Sequence, residues 1–460
     1  MDFLELWGNN GDLHLDSSIG PSVKVNGMEL SSPELRGNIA RFFCQPWWGR
    51  LWTVQEFILA KKIFFQSGRC TLSGDLPGKC VQHLRKHTSA MCCTQLSSIM
   101  RLTDSQTGLC LMDAMSKPNL LEHARFNRFH RPFYYILQLF RHLECTDPRD
   151  KIYDMLNLAI GPYMDLILPD YTRSLESVLT LATISIVERS QSLHIFSLLH
   201  YGRRNLTKLP SFVPDLTESV LLDANRLEHT DRVEMVRLFR ASGDSKSDLR
   251  LVSTTKASTS GFIFDSVSAV GIPLGASSLE NWRTLAQVDD DPDASYPQTD
   301  VSRETAFWQT LCGGSVGAIV RGEYEFEGVD DRTGYQMYQQ WIAWVTAPHD
   351  SIEQKSLTSL DGIDFNTAYL AAAVGHRFFV TQNGYFGLAP ATTSTRDYVT
   401  ILAGGPVPYI LRPVSDEVSI EYIHGTATSA LGYRILGDAY VHGIMDGELS
   451  NRKFEDIVLV

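Results

Sequence analysis

The sequence predicts an α+β protein with a mainly helical N-terminal part and a small antiparallel β-barrel at the C-terminal end. Two observations predict this class. Apolar residues recur at helical spacing through much of the first half, whereas about eighty residues at the end hold short alternating stretches separated by glycine turns. The same alternation occurs earlier, in "GFIFDSVSAVGI" (261–272), so the barrel is expected to take a strand from before a helical insertion.

The helices of the first half follow from apolar spacing and breaker residues. Residues 32–60 predict two helices that meet at "QPWWG", because Pro46 cannot continue a helix and Gly49 permits a turn. "FYYILQLFRHLECT" (133–146) predicts a helix with one buried face, which ends at the stop signal of Asp147 and Pro148. That face comprises Phe133, Ile136, Leu137 and Phe140.

Other elements are predicted from end signals and β-preferring residues. "KIFFQSGRCTL" (62–72) predicts one strand. Asp147 followed by Pro148 has the form of an N-cap and first helical position, and the apolar stripe behind it extends the predicted helix to Ala159. A further helix is predicted from about 175 to 186.

The clearest β signal is "HRFFVTQNGYFGLA" (376–389), which predicts a hairpin. Asn383-Gly384 suits a type I′ turn between its strands. That turn would place four side chains on one face, namely Phe379, Thr381, Phe386 and Leu388.

Changes in composition divide the chain into five parts. They are an N-terminal part (1–75), a helical region (76–215), a linker or helical connector (216–248), the β-barrel (249–272 and 376–448) and a helical insertion with an acidic loop (273–375). The acidic loop, "TLAQVDDDPDASYPQTDVSR" (284–303), is expected to be solvated and mobile.

Charge and hydropathy exclude several classes of protein. The formal net charge of -12 would repel a phosphate backbone, and no basic patch offsets it, so nucleic-acid binding is not expected. No apolar run is long enough for a membrane span, and the start "MDFLELWGNNGDLHLD" is not a signal peptide. The eight cysteines include no C-x-x-C pair, as expected of reduced thiols in a cytoplasmic protein.

The segment "PWWGRLWTVQE" (46–56) poses the main functional question. Glu56 follows Trp52 by four residues on a predicted helix, so the two share a face, and an indole could raise the pKa of the carboxyl by desolvation. The structural alternative is that the three tryptophans clamp a helix corner while Arg50 and Glu56 pair at its margin. The sequence favours the structural alternative.

Seven segments together resemble the fungal heterokaryon incompatibility (HET) domain proteins. In chain order they are "PWWGRLWTVQEFILA", "DPRDKIYDMLNLA", "PDYTRSLESV", "LPSFVPDL", "RFFVTQNGYFGLAP", "ILAGGPVPYILRPV" and "YRILGDAYVHGIMDGE". The motif residues within them are Trp47, Trp48, Arg50, Trp52, Gln55, Glu56, Asp147, Pro148, Arg149, Asp150, Tyr153, Asn383, Gly384, Tyr385, Gly387, His442, Gly443, Asp446 and Gly447.

This resemblance implies a family role in fungal non-self recognition, with programmed cell death as its output. HET domains look distantly related to TIR domains, some of which cleave NAD with a glutamate four residues after a tryptophan, so Glu56 is the one catalytic candidate. The family's opening strands and its "IDAICINQ"-like segment are missing, so residues 1–75 resemble only the last part of a HET domain. We therefore expect a signalling protein that has no cofactor and binds an unknown protein partner.

Three further patterns raise other chemistry. "GGSVG" (313–317) matches a nucleophile elbow, with Ser315, Asp397 and His442 in α/β-hydrolase order, although a predicted helix stands where the elbow needs a strand. Two more groups of residues place His, Cys or Asp close together in sequence, as metal ligands would be. Both groups are better explained as solvated or buried side chains. These are Cys80, His83, His87, Cys92 and Cys93 for zinc, and Asp289, Asp290, Asp291 and Asp293 for calcium.

The segment "YVHGIMDGE" (440–448) offers a last candidate site. His442, Asp446 and Glu448 lie at a predicted strand end, where a pocket could form. A hydrogen-bonded barrel rim is the simpler interpretation.

Overall fold

The computed structural model describes residues 4–5, 9, 24–25, 28–29, 38, 41–80, 83, 111–126, 131–159, 165–199, 206–217, 226–297, 301–320, 323–346, 360–421 and 427–460. The chain forms two compact units, Met1–Gly161 and Pro162–Val460. The division falls inside the predicted helical region (76–215), whose ends remain predictions.

The first unit combines helices with short hairpins. Its described elements are β1 (Lys24–Val25), β2 (Met28–Glu29), a 3₁₀ turn (Pro46–Gly49), α1 (Thr53–Leu59), β3 (Phe64–Ser67), β4 (Cys70–Ser73), α2 (Leu111–Phe126), α3 (Phe133–Phe140), α4 (Asp150–Tyr153) and a second 3₁₀ turn (Leu156–Leu158). β1 pairs with β2 and β3 with β4, both antiparallel. α3 ends at Phe140, before the predicted stop at Asp147, and all eight of its residues are buried, so it packs on every side rather than on one predicted face.

Two predictions for the first unit are corrected. The single strand predicted at 62–72 is the β3–β4 hairpin, because Gly68 has φ of 59° and turns the chain back. The helix predicted to run to Ala159 ends at Tyr153. The residues beyond it are buried on more than one side, which a 3₁₀ turn allows and a single helical stripe does not.

The second unit carries most of the sheet. Its described elements are α5 (Leu175–Ser190), a 3₁₀ turn (His194–Leu198), α6 (Arg226–Val236), β5 (Arg250–Ser253), β6 (Lys256–Pro273), α7 (Ser278–Ala286), α8 (Arg303–Leu311), β7 (Ser315–Val320), β8 (Glu323–Gly328), α9 (Asp331–Thr346), α10 (Leu360–Ala373), β9 (His376–Thr381), β10 (Phe386–Pro390), β11 (Tyr398–Leu402), β12 (Tyr409–Glu421), β13 (Ala427–Asp438), β14 (Tyr440–Val441) and β15 (Glu455–Leu459). The insertion between β6 and β9 is therefore not purely helical, because it includes the β7–β8 hairpin.

The predicted closed antiparallel barrel is only partly right. Pairings β11–β12, β12–β13, β13–β15, β15–β6 and β6–β11 follow one another in a ring. The nine-stranded sheet as a whole does not close, since β9, β10 and β14 continue from the second half of β6 as an open ribbon. The 18 residues of β6 are enough to serve both parts. The β13–β15 pair is also parallel.

The β9–β10 hairpin forms where predicted but with another turn and register. Only Gly384 has a positive φ, 86°, whereas a type I′ turn would need one at Asn383 too. The loop is thus one residue longer, and Val380 rather than Thr381 lies opposite Phe386. A shift of one residue moves side chains to the other face, so Phe378, not Phe379, packs on Phe386, with ring centroids 5.4 Å apart.

The acidic loop is corrected in a similar way. Its four aspartates at 289–293 are exposed, as expected, but Tyr296 within the described part of the loop (284–297 and 301–303) is 1% exposed. The loop is therefore not solvated throughout, because the Tyr296 ring is packed in the core.

Candidate functional site

The aromatic corner is well packed around Trp48. The Trp48 ring centroid is 5.0 Å from that of Trp47 and 5.0 Å from that of Phe65. The Trp48 indole N–H donates to the Phe42 carbonyl at 2.9 Å. Two of the three predicted clamp residues, Trp47 and Trp48, therefore act as such, whereas Trp52 does not, because 45% of it is exposed.

Glu56 lies on the outer face of α1 and is exposed. The backbone N–H of Glu56 reaches the Trp52 carbonyl at 3.5 Å, so the two residues do share one helical face. The half-exposed indole does not remove the carboxylate from water. The predicted ion pair with Arg50 is also wrong, since none joins the two side chains, both of which lie in a described stretch (41–80).

The corner is fastened to the segment that carries the Asp-Pro-Arg-Asp motif. The Leu51 N–H donates to the Glu144 carbonyl at 2.9 Å, and the Glu144 N–H donates to the Gly49 carbonyl at 2.7 Å. The Gln55 side-chain amide donates to the Asp154 carbonyl. Two motif segments that are far apart in sequence thus meet in one unit, through backbone hydrogen bonds and the Gln55 side chain.

Asp147 and Arg149 hold the turn at the start of this motif. The Asp147 carboxylate accepts from the Arg149 backbone N–H at 3.0 Å and from its guanidinium at 2.9 and 2.6 Å. The hydrogen bonds to Arg149 hold the pKa of Asp147 below its usual value. The predicted helix N-cap is wrong: Asp147 closes the turn before α4, which begins at Asp150 and has Arg149 at its N-cap position without a side-chain cap hydrogen bond.

Sequence reasoning missed two perturbed groups next to the motif. Lys151 is buried and its ammonium donates to the carbonyls of Arg141, at 2.7 Å, and Leu143, so it satisfies the end of α3. Burial lowers the pKa of Lys151. Desolvation, aided by the charge of Asp150, raises the pKa of Asp154 to about 6. The sequence gives no signal for either, because burial depends on distant segments.

A second polar cluster surrounds Tyr296 in the second unit. The Tyr296 hydroxyl accepts from the Phe386 N–H at 2.8 Å and donates to the His442 carbonyl at 3.1 Å. The centroid of the Tyr296 ring is 5.1 Å from that of the His442 ring. The Tyr440 hydroxyl is 3.3 Å from His442 Nδ1. Tyr296 thereby joins the acidic loop, β10 and the segment after β14.

The remaining motif residues of the barrel have conformational roles. Gly387 faces Phe379 and the Tyr440 carbonyl so closely that a Cβ would come within 2.5 Å of each. Gly443 and Gly447 have φ of 89° and 85°, which glycine adopts without strain. The Asp446 backbone N–H donates to the Glu448 carboxylate at 2.7 Å. Residues 442–448 therefore form hydrogen-bonded turns after β14, which lies in the open ribbon and not at the rim of the ring of strands.

The serine hydrolase alternative is not supported by the geometry. Ser315 is buried, and its hydroxyl donates at 3.4 Å to the Cys312 carbonyl rather than to a histidine. It follows α8 and begins β7, the reverse of the strand and helix order of an elbow. Asp397 is held by two 2.8 Å hydrogen bonds from Arg412 instead of orienting His442.

The structure supports neither the zinc site nor the calcium site considered from the sequence. Within the described residues no three His, Cys, Asp or Glu side chains are grouped as metal ligands. Cys80 is buried with its thiol on the Leu4 carbonyl at 3.2 Å, and burial raises its pKa to about 12. His87, Cys92 and Cys93 lie outside the described residues. Asp289 pairs with Arg283.

Acidification is expected to destabilise the second unit through two histidines. Desolvation lowers the pKa of His194 and of His442 from 6.5 to about 4. Both are neutral in the fold, so between pH 6.5 and 4 the unfolded chain binds protons that the folded chain does not. The contribution of the two histidines to the free energy of unfolding is fully present above pH 6.5. It is lost as the pH falls through this window, by up to about 3 kcal/mol for each histidine.

Urea unfolding followed by circular dichroism from pH 7.5 to 4 measures this loss. His442→Gln should reduce the pH dependence, since it removes one of the two titrating groups. A His442→Gln chain with the same pH profile as the unsubstituted chain would contradict the assignment.

This chain is similar in sequence to known proteins. Residues 324–460 match the model of the Het-6 β-barrel domain. The chain is also 25% identical over 486 aligned positions to heterokaryon incompatibility protein 6, OR allele, of Neurospora crassa, an alignment that covers 92% of this chain and 67% of the relative. Most of the chain is therefore similar to a heterokaryon incompatibility protein, and its C-terminal part to the Het-6 β-barrel domain. No solved structure matches it.

The match to the Het-6 β-barrel domain covers only part of the sheet. The matched range (324–460) contains β9 to β15 but not β6, although β6 pairs with both β11 and β15. The ring of strand pairings therefore depends on a strand from outside the matched range. Among the helices that the structure describes, none is long and apolar enough to cross a bilayer.

Proposed function

We propose that this protein acts in heterokaryon incompatibility, as a non-self recognition and signalling protein of fungi. It binds a protein partner in the cytoplasm, needs no cofactor and leads to programmed cell death. The observation that carries the proposal is the similarity over 92% of the chain to a relative named for heterokaryon incompatibility.

The surroundings of Glu56 support a role without catalysis. A carboxylate that stabilises a charged transition state acts in a site from which water is excluded. Glu56 is exposed, and the Trp52 indole beside it is half-exposed. The buried part of the corner is filled by aromatic rings such as Trp48 and Phe65, which leave packing as its function.

The proposal is tested by expressing the chain in pairs of fungal strains that differ only in whether they carry it. We expect fused cells to die, scored by uptake of a membrane-impermeant dye, in some strain backgrounds and not in others. The matched control is the chain with Glu56→Gln, which should kill equally well. Equal survival of all pairings at confirmed expression of the chain would contradict the proposal.

The second candidate function is NAD cleavage of the TIR type. It is favoured by one observation, the shared helical face of Trp52 and Glu56 on α1. In that case Glu56 would stabilise the oxocarbenium-like ribose as nicotinamide leaves. The exposure of Glu56 argues for the first candidate.

Purified chain is therefore expected to show no NAD turnover above that of buffer. Release of nicotinamide, measured by chromatography, should be the same for the unsubstituted chain and for Glu56→Ala, because no transition-state interaction is removed. Turnover that the unsubstituted chain shows and Glu56→Ala loses would establish the NAD-cleaving function instead.

A further inference from the structure

The first unit carries an exposed apolar and basic surface around the end of α1. Phe126 is 81%, Phe64 64% and Leu59 39% exposed. Lys61 and Lys62, which lie between Leu59 and Phe64, are exposed as well. We call these five residues the basic-aromatic tip.

Three elements bring the tip together. α1 ends at Leu59 and β3 begins at Phe64, so one short turn carries both lysines. The guanidinium of Arg125, next to Phe126 at the end of α2, donates to the Ala60 carbonyl at 2.9 Å and to the Lys61 carbonyl at 3.3 Å. The end of α2 is thereby fixed against the same turn.

The outward position of Phe64 follows from the strand. Neighbouring residues of a strand point to opposite faces, and Phe65 takes the inner one, with its ring centroid 5.5 Å from that of Trp47. Phe64 lies opposite Ser73 on the outer face, where it has solvent rather than a core to contact. Its exposure is therefore built into the register of the hairpin.

The charge of the tip differs from that of the chain. The sequence as a whole has a formal net charge of -12, yet the tip has two lysines within two residues and Arg125 beside them. The nearest acidic groups on the same elements are Glu56 on α1 and Glu122 on α2. Desolvation raises the pKa of Glu122.

We propose that the basic-aromatic tip docks the protein on an anionic lipid surface. The lysine ammonium groups pair with headgroup phosphates and carboxylates, while Phe64, Phe126 and Leu59 enter the boundary between headgroups and acyl chains. The apolar side chains favour lipid over nucleic acid, because a phosphate backbone offers no apolar layer for them. Attachment of this kind requires no membrane span and is independent of the proposed recognition function.

Sedimentation of the full chain with vesicles tests the proposal. The vesicles are phosphatidylcholine alone or phosphatidylcholine with about 30% phosphatidylserine, which supplies the surface potential. We expect binding only to the second kind. Lys61→Ala and Lys62→Ala should each weaken it about fivefold, and Phe64→Ser and Phe126→Ser each about tenfold.

Matched controls come from exposed residues of the second unit. Lys208→Ala with Lys453→Ala removes two exposed lysines, and Leu168→Ser removes an exposed apolar side chain. These controls should bind as the unsubstituted chain does. The proposal would be overturned if the chain showed no phosphatidylserine-dependent binding or if the controls lost as much binding. It would also be overturned if the chain bound duplex DNA and Phe64→Ser and Phe126→Ser left that binding unchanged.

Discussion

Replacing Asp438 by alanine is expected to lower the free energy of unfolding of the second unit by about 3–5 kcal/mol. The Asp438 carboxylate at the end of β13 accepts from Arg232 Nε at 2.9 Å and from a terminal guanidinium nitrogen at 2.8 Å. The side chains of both residues are almost completely buried. The same guanidinium donates to the Ala372 carbonyl of α10 at 2.8 Å, so the pair joins α6, α10 and the sheet.

The large expected effect comes from the charge that remains. Without Asp438, the Arg232 guanidinium stays buried with one carbonyl as its remaining hydrogen-bond acceptor in the contacts above. Replacing both partners by apolar residues, Arg232→Met with Asp438→Leu, should recover much of the loss because no charge is left without a counterion.

Urea unfolding of the full chain, with hydrogen exchange of β12 and β13 to assign the transition, measures the change. Asp244→Ala is the matched control, since Asp244 pairs with Arg240 at 4.0 Å with both side chains exposed. Surface pairs of this kind contribute about 0–1 kcal/mol. Equal losses for Asp438→Ala and Asp244→Ala would contradict the role assigned to burial.

Tyr296→Ala is expected to destabilise the second unit by about 3–5 kcal/mol, the usual loss for a buried large aromatic. The change removes the ring that packs on Phe386 and His442, at centroid distances of 5.1 Å each. It also leaves the Phe386 N–H without the acceptor it has in the Tyr296 hydroxyl. Tyr296→Phe keeps the ring and should lose only about 1–3 kcal/mol.

The two substitutions separate packing from hydrogen bonding at one position. Hydrogen exchange of 288–297 should speed up most in Tyr296→Ala, because the ring anchors that part of the acidic loop. Tyr171→Ala serves as a control, since Tyr171 is largely exposed in the same unit. A protection pattern in Tyr296→Ala that matches the unsubstituted chain would show that the loop is fixed without its aromatic anchor.

Local rules were sufficient for most elements of this protein. The apolar spacing from Phe133 predicted α3, although α3 ends before the predicted stop at Asp147, and "GFIFDSVSAVGI" predicted a strand that forms part of β6. Asp147 and Pro148 marked the turn before α4, although neither belongs to the helix. These features depend on neighbours within a few residues, where periodicity, capping and breaker residues act.

The candidate site was less accessible from sequence. The spacing of Trp52 and Glu56 correctly placed both residues on one helical face. It did not show whether that face packs against the rest of the unit or lies in solvent. Exposure is decided by segments such as β3, which buries Trp47 and Trp48 and leaves Trp52 half outside. The burial of Lys151 and the shifted pKa of Asp154 arise in the same way.

The amino-acid order alone determined most secondary elements, the α+β class and the family likeness, because each is encoded by short-range pattern or by motif. The tertiary structure decided the register of the β9–β10 hairpin, the division of β6 between ring and ribbon, and the exposure of Glu56. These outcomes depend on contacts between residues far apart in the chain. The free energy of such contacts comes from burial and pairing that no local window contains.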